Sequence, residues 1–124
     1  MAGELILIIE DNEKNRRLVR DVLQFKGYQT IETETGEEGV ELARSRQPAL
    51  VLMDIQLPGI DGITALRQLR DDPITRAIRV MAVTASAMTQ DRQKILSAGF
   101  DGYQSKPINV KAFLEAVQEI LGRP

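Results

Sequence analysis

The chain contains neither cysteine nor histidine. Without thiols it has no disulfide framework and no thiolate chemistry, a usage that fits the cytoplasm. Without imidazole it has no histidine general base, no histidine metal ligand and no phosphohistidine formed on itself. No stretch approaches the about 20 apolar residues that span a bilayer. The first residues run straight into a short apolar segment, without the basic and apolar regions of a signal peptide. A basic excess is missing too, and the net charge of -2 argues against nonspecific nucleic-acid binding. Linkers, internal repeats and glycine-rich nucleotide loops are also lacking. What remains is a soluble chain of 124 residues. That is one domain, able to bury roughly two-thirds of its unfolded surface.

The organising stretch is Leu50-Val51-Leu52-Met53-Asp54, followed by Ile55-Gln56-Leu57-Pro58-Gly59. Four consecutive apolar residues predict a strand buried on both faces, as in the middle of a parallel sheet. The run ends at one carboxylate and a Pro-Gly loop. Ligands of open parallel sheets sit just beyond the carboxyl ends of the strands, so Asp54 stands where such a fold does its chemistry. Alone, Asp54 reads first as an ordinary loop or cap aspartate. Its weight comes from three other strands that end in equally specific residues.

Leu5 to Ile9 predicts a second buried strand, ending in Glu10-Asp11-Asn12. Asn12 suits a helix N-cap. The helix after it carries Leu18, Val19, Val22 and Leu23 inward, leaves Arg16, Arg17 and Arg20 solvated, and stops at Gly27. Gln29 to Glu32 predicts an edge strand, and Thr35 with Glu38 a capping box for a helix burying Val40 and Ala43. Asp61 caps a third helix through Ile63, Leu66 and Leu69. Arg79 to Thr84 is a fourth strand, running into Ala85-Ser86-Ala87. The helix from roughly Thr89 to Ala98 has little apolar face beyond Ile95 and Leu96, which predicts loose docking. Gly102 to Ser105 is a fifth strand, ending in Lys106-Pro107. Val110, Phe113, Leu114, Val117, Ile120 and Leu121 mark the last helix.

Five strands alternating with five helices predict a doubly wound α/β domain, flavodoxin-like, with strand order 2-1-3-4-5. That order brings Glu10, Asp11 and Asp54 to one end of the sheet, ringed by Thr84 and Lys106. Three crowded carboxylates repel one another, and burial raises their pKa values. Lys106 offsets one charge. A Mg2+ ion would offset two more, since it prefers oxygen ligands and is typically held by carboxylates, water and a phosphate. On charge alone a solvated acidic cluster is an equal reading, but it leaves the strand-end placement unexplained. The Asp54 carboxylate is competent to attack phosphorus. Mg2+ and Lys106 would neutralise the equatorial oxygens while the Thr84 hydroxyl bonds one of them.

Glu10-Asp11-Asn12, Asp54 with Ile55-Gln56-Leu57-Pro58, Thr84-Ala85 and Lys106-Pro107 together resemble the receiver domain of two-component response regulators. The resemblance covers nearly the whole chain. The stretches Val83 to Met88 and Tyr103 to Ile108 look closest to DivK-like single-domain regulators and to receivers of hybrid histidine kinases. It implies a CheY-like fold and a single receiver domain over 1–124. It further implies that Asp54 takes a phosphoryl group from a sensor histidine kinase or a histidine phosphotransfer protein. Mg2+ would be held by Asp11, Asp54 and the Gln56 backbone carbonyl, with Glu10 acting largely through water. Many relatives carry aspartate where this chain has Glu10, so the contact of the longer side chain stays open.

The resemblance also implies a switch. Thr84, Ala85 and Lys106 would bind the phosphoryl group, Thr84 would move toward it, and Tyr103 would turn inward. Gln56 and Ser86 would tune phosphoryl lifetime, and Pro107 would follow a cis peptide. The fourth helix, fifth strand and last helix would form the surface for a downstream protein. The expected protein is a cytoplasmic monomer that signals by docking, not an enzyme with an external substrate.

Other classes fit less well. A flavodoxin-like electron carrier needs a hydroxyl- and glycine-rich phosphate loop where this chain has Glu10-Asp11. An aspartyl phosphatase usually carries an acid/base aspartate two residues after the nucleophile, where this chain has Gln56. A phosphorylation-independent adaptor that keeps only the fold, and a receiver cut from a hybrid kinase, remain as alternatives.

Overall fold

In a computed structural model that describes residues 3–85 and 89–123, strands and helices alternate throughout. They are β1 (Leu5–Ile9), α1 (Glu13–Phe25), β2 (Gln29–Thr33), α2 (Gly36–Arg46) and β3 (Leu50–Asp54). Then follow α3 (Gly62–Asp71), β4 (Arg79–Thr84), α4 (Thr89–Ser97), β5 (Gly102–Ser105) and α5 (Val110–Leu121). The five strands form one sheet in the order β2-β1-β3-β4-β5, and every neighbouring pair is parallel. This is the flavodoxin-like arrangement that the alternation predicts, and the CheY-like fold that the resemblance implies.

Away from their ends the central strands are apolar because their side chains alternate between two cores. Ile6, Ile8, Leu50, Leu52, Met81 and Val83 face α1 and α5, meeting Val19, Leu23, Phe113 and Val117. Leu7, Ile9, Val51, Met53, Val80 and Ala82 face the other way, meeting Ala43, Ala65, Leu66 and Ile95. A period of two with both faces covered leaves polar residues only at the strand ends, Asp54 in β3 and Arg79 and Thr84 in β4, which is why the strands read as apolar runs between them.

The helix starts follow the expected caps. Asn12 Oδ1 accepts from Asn15 N at 3.0 Å, and Asp61 Oδ1 accepts from Thr64 N at 2.8 Å. Thr35 Oγ1 accepts from Glu38 N at 3.2 Å, but the Glu38 carboxylate accepts from the Thr33 hydroxyl at 2.5 Å. Four positions depart from the helical pattern. Leu18, Leu96 and Val110 are 40%, 42% and 43% exposed, because each sits on the shoulder of its helix rather than over the sheet. Arg16, expected in solvent with Arg17 and Arg20, is folded down, its side chain 13% exposed. Among the described residues, no helix is long and apolar enough to cross a membrane.

The first turn of α3 presses against the exit of β3. Gly62 N donates to the Ile55 carbonyl at 2.9 Å, and a Cβ at Gly62 would lie 2.5 Å from the Asp54 carbonyl oxygen. Backbone, unlike a flexible side chain, cannot step aside. Gly62→Ala should therefore cost about 1–3 kcal/mol of stability, as overpacking does, measured by urea unfolding. An unchanged midpoint would show that the strand exit relaxes freely.

Candidate functional site

Parallel strands deliver their carboxyl ends to one edge of the sheet. β1 ends at Ile9 with Glu10 next, β3 ends on Asp54, β4 on Thr84, and β5 runs into Lys106. The β1–β3 register pairs Ile9 with Met53, so Glu10 and Asp54 come level. The β3–β4 register pairs Asp54 with Val83, and the β4–β5 register pairs Thr84 with Ser105. Lys106 N then donates to the Thr84 carbonyl at 2.8 Å, fixing where the lysine side chain departs. The Lys106–Pro107 peptide is cis.

Lys106 Nζ lies 2.6 Å from Glu10 Oε1 and 2.9 Å from Asp54 Oδ2. All three side chains are largely withdrawn from water, at 14%, 6% and 7% exposure for Lys106, Glu10 and Asp54. Glu10 Oε2 accepts from Asn12 N, and Asp54 Oδ1 from Gln56 N, both at 3.1 Å. Asp11 is exposed, and one carboxylate oxygen from each of Glu10, Asp11 and Asp54 lies within 4.8 Å of the others. Thr84 is buried at 1% exposure, and Ala85 is exposed. Tyr103 is half-buried against the core between the sheet and α2, α3 and α4. Gln56 is exposed. Ser86 lies outside the described residues.

The electrostatics are unbalanced. Burial pushes the Glu10 carboxyl up to about 7; the Lys106 bond opposes this, and the neighbouring Asp54 adds to it. Burial works against the Lys106 ammonium as well, but its bonds to Glu10 and then Asp54 outweigh that and raise its pKa. One ammonium is thus shared by two carboxylates, with a third at the rim. A compact set of hard oxygen donors carrying surplus negative charge fits a small divalent cation such as Mg2+.

The response regulator receiver domain family matches residues 6–118. The chain belongs to that family. It is 46% identical to the polar-differentiation response regulator DivK of Brucella ovis over 117 residues, 94% of this chain and 95% of that protein. Its fold is similar to the receiver domain of the sensor histidine kinase PA1611 from Pseudomonas aeruginosa, with a TM-score of 0.91. That likeness has 32% identity and covers 98% of this chain and 100% of the other, whose structure carries a magnesium ion in its active-site cleft. A CheY-like receiver from Methanospirillum hungatei aligns with a TM-score of 0.85 at 29% identity, covering 97% of this chain and 94% of that one. Receiver domains are the phosphoacceptors of two-component signalling; they work with histidine kinases and downstream targets, generally as signalling modules rather than enzymes.

Sequence reasoning missed two groups at this receiver site. The Asn12 N–H on Glu10 follows from the cap, since the turn that frees a helix N-terminus aims its amides at the strand end. Arg16 carried no signal beyond its place on a polar helix face.

The raised Glu10 pKa has a signed consequence. A carboxyl whose pKa is higher folded than unfolded stabilises the fold below its ordinary value and loses that contribution as pH rises through the folded one. In chelating buffer, Glu10 should therefore subtract stability between about 4.5 and about 7. Urea midpoints across that range should show the downward contribution in the wild type and not in Glu10→Gln. Identical pH profiles would contradict the assignment.

Proposed function

We propose that Asp54 is the phosphoacceptor, taking a phosphoryl group from a partner's phosphohistidine in a Mg2+-dependent reaction. The observation that carries this reading is the Lys106 ammonium held between the buried carboxylates of Glu10 and Asp54 at the carboxyl ends of three parallel strands. An Asp54 oxygen forms the new O–P bond while the P–N bond breaks, and the imidazole leaves with its electron pair. The bond from Gln56 N to Oδ1 and the bond from Lys106 to Oδ2 fix the plane of the carboxylate before attack. Orientation of that kind supplies much of the acceleration in a reaction that asks little covalent chemistry of the protein.

Glu10, Asp11, Asp54 and the Gln56 carbonyl would hold the Mg2+, with Glu10 acting largely through water. Bound there, the ion supplies positive charge against the phosphoryl oxygens. Lys106 reaches the same oxygens from the β5 side, and the Thr84 hydroxyl, with Ala85 beside it, closes on them from β4. Phosphorylation draws Thr84 toward Asp54, and Tyr103 turns into the space left behind. Gln56 and Ser86 tune the lifetime of the product.

The change is read on α4, β5 and α5. α4 suits that task because elements that move come from the less stable parts of a domain. The upstream partner is a sensor histidine kinase or a histidine phosphotransfer protein. We read 1–124 as a single receiver domain. It works in the cytoplasm as a DivK-like monomer and signals by docking to protein rather than nucleic acid.

Intact-mass measurement after acetyl phosphate and Mg2+ tests the chemistry. One phosphoryl group should be added to the wild type and none to Asp54→Asn or to chelated protein. If a competent phosphohistidine donor also left the wild type unmodified, the chain would instead be a phosphorylation-independent adaptor.

A further inference from the structure

Arg16 differs from its neighbours on α1. Its side chain is 13% exposed, against 63% for Arg17 one residue on. The guanidinium turns back toward the exit of β1, where Nη1 donates to the Glu10 main-chain carbonyl at 2.9 Å. Nε lies 3.4 Å from Glu32 Oε1, and Nη1 3.4 Å from Glu34 Oε1. Glu32 belongs to β2 and Glu34 follows it, so two carboxylates from the neighbouring strand and its exit hold the fork in place.

The accepting carbonyl belongs to the peptide that joins Glu10 to Asp11. That peptide is planar, so fixing its oxygen fixes the plane from which the Asp11 backbone and side chain depart. Glu10 is already restrained elsewhere. Its N donates to the Thr33 carbonyl at 3.0 Å, Oε1 meets Lys106 at 2.6 Å and Oε2 accepts from Asn12 N at 3.1 Å. Asp11, the exposed member of the acidic trio, depends on that peptide plane for its direction. A hydrogen bond from an ionised donor is about twice as strong as a neutral one.

We propose that Arg16 is a positioning residue for divalent-cation binding: it locks the Glu10–Asp11 peptide and so presents the Asp11 carboxylate alongside Glu10 and Asp54. This rests on reading the acidic trio as a cation site. Charge alone predicts the opposite behaviour. A guanidinium near the site repels Mg2+, so removing it would tighten binding, whereas loss of positioning loosens it.

The test is a titration of the full chain with magnesium chloride, followed by amide 15N NMR shifts around Asp11, with folding checked by urea unfolding. Arg16→Gln should weaken Mg2+ binding roughly tenfold, at the low end of what partners behind metal ligands contribute. Arg16→Lys keeps the charge but loses the planar fork, and should fall between that variant and the wild type. Half-maximal phosphorylation by acetyl phosphate should shift to higher Mg2+ in the same order. Unchanged or tighter Mg2+ binding in folded Arg16→Gln would overturn the proposal. If Arg16→Gln did not fold, wild-type affinity in Arg16→Lys would do the same. A wild type without saturable shifts would instead remove the cation site itself, and the role of Arg16 with it.

Discussion

The molecule depends on one ammonium held between two buried carboxylates. Glu10 and Asp54 belong to the exits of adjacent strands, and packing them side by side out of water is unfavourable unless a cation intervenes. Lys106 Nζ intervenes at 2.6 Å and 2.9 Å. It arrives from the end of β5, 52 residues after Asp54, so it ties the far side of the sheet to the centre. The compensation is incomplete, since burial still pushes the Glu10 carboxyl up to about 7. A site that is not neutral by itself is suited to a further cation.

The sheet exists to make that meeting accurate. Both faces are covered, with α1 and α5 on one side and α2, α3 and α4 on the other. A slip of one residue in any central strand would exchange the two cores and carry the terminal residue to the wrong face. Burial therefore enforces register, and register brings Glu10, Asp54, Thr84 and Lys106 to one edge. The loops then refine the placement: Asn12 N braces Glu10, and Gln56 N braces Asp54.

Much of the fold was legible in the chain. Leu5–Ile9, and Leu50–Asp54 and Arg79–Thr84 between their polar ends, are apolar because both their faces are covered, so they stand out as strands. Asn12, Thr35 and Asp61 announce helix starts because free amides need acceptors there. Helix shoulders were less legible. Leu18, Leu96 and Val110 are apolar yet about two-fifths exposed, because periodicity gives a residue's angle on a helix and not how far the sheet reaches beneath it. The Glu38 carboxylate is another such case, bonded to Thr33 from the strand before the helix rather than closing a box within it.

The chain by itself determined which residues end the strands, and hence that three carboxylates, a threonine and a lysine belong to one edge of a parallel sheet. Alternation of apolar runs with capped amphipathic segments is local information, and it survives without coordinates. Only the tertiary structure decided that Lys106 bridges Glu10 and Asp54 and that Gly62 lies against the Asp54 carbonyl. It alone also showed that Arg16 leaves the solvated face to grip the Glu10 carbonyl. Those contacts join residues brought close by strand register and helix tilt. Distances of a few ångströms between such groups follow from how the elements pack, which no local pattern encodes.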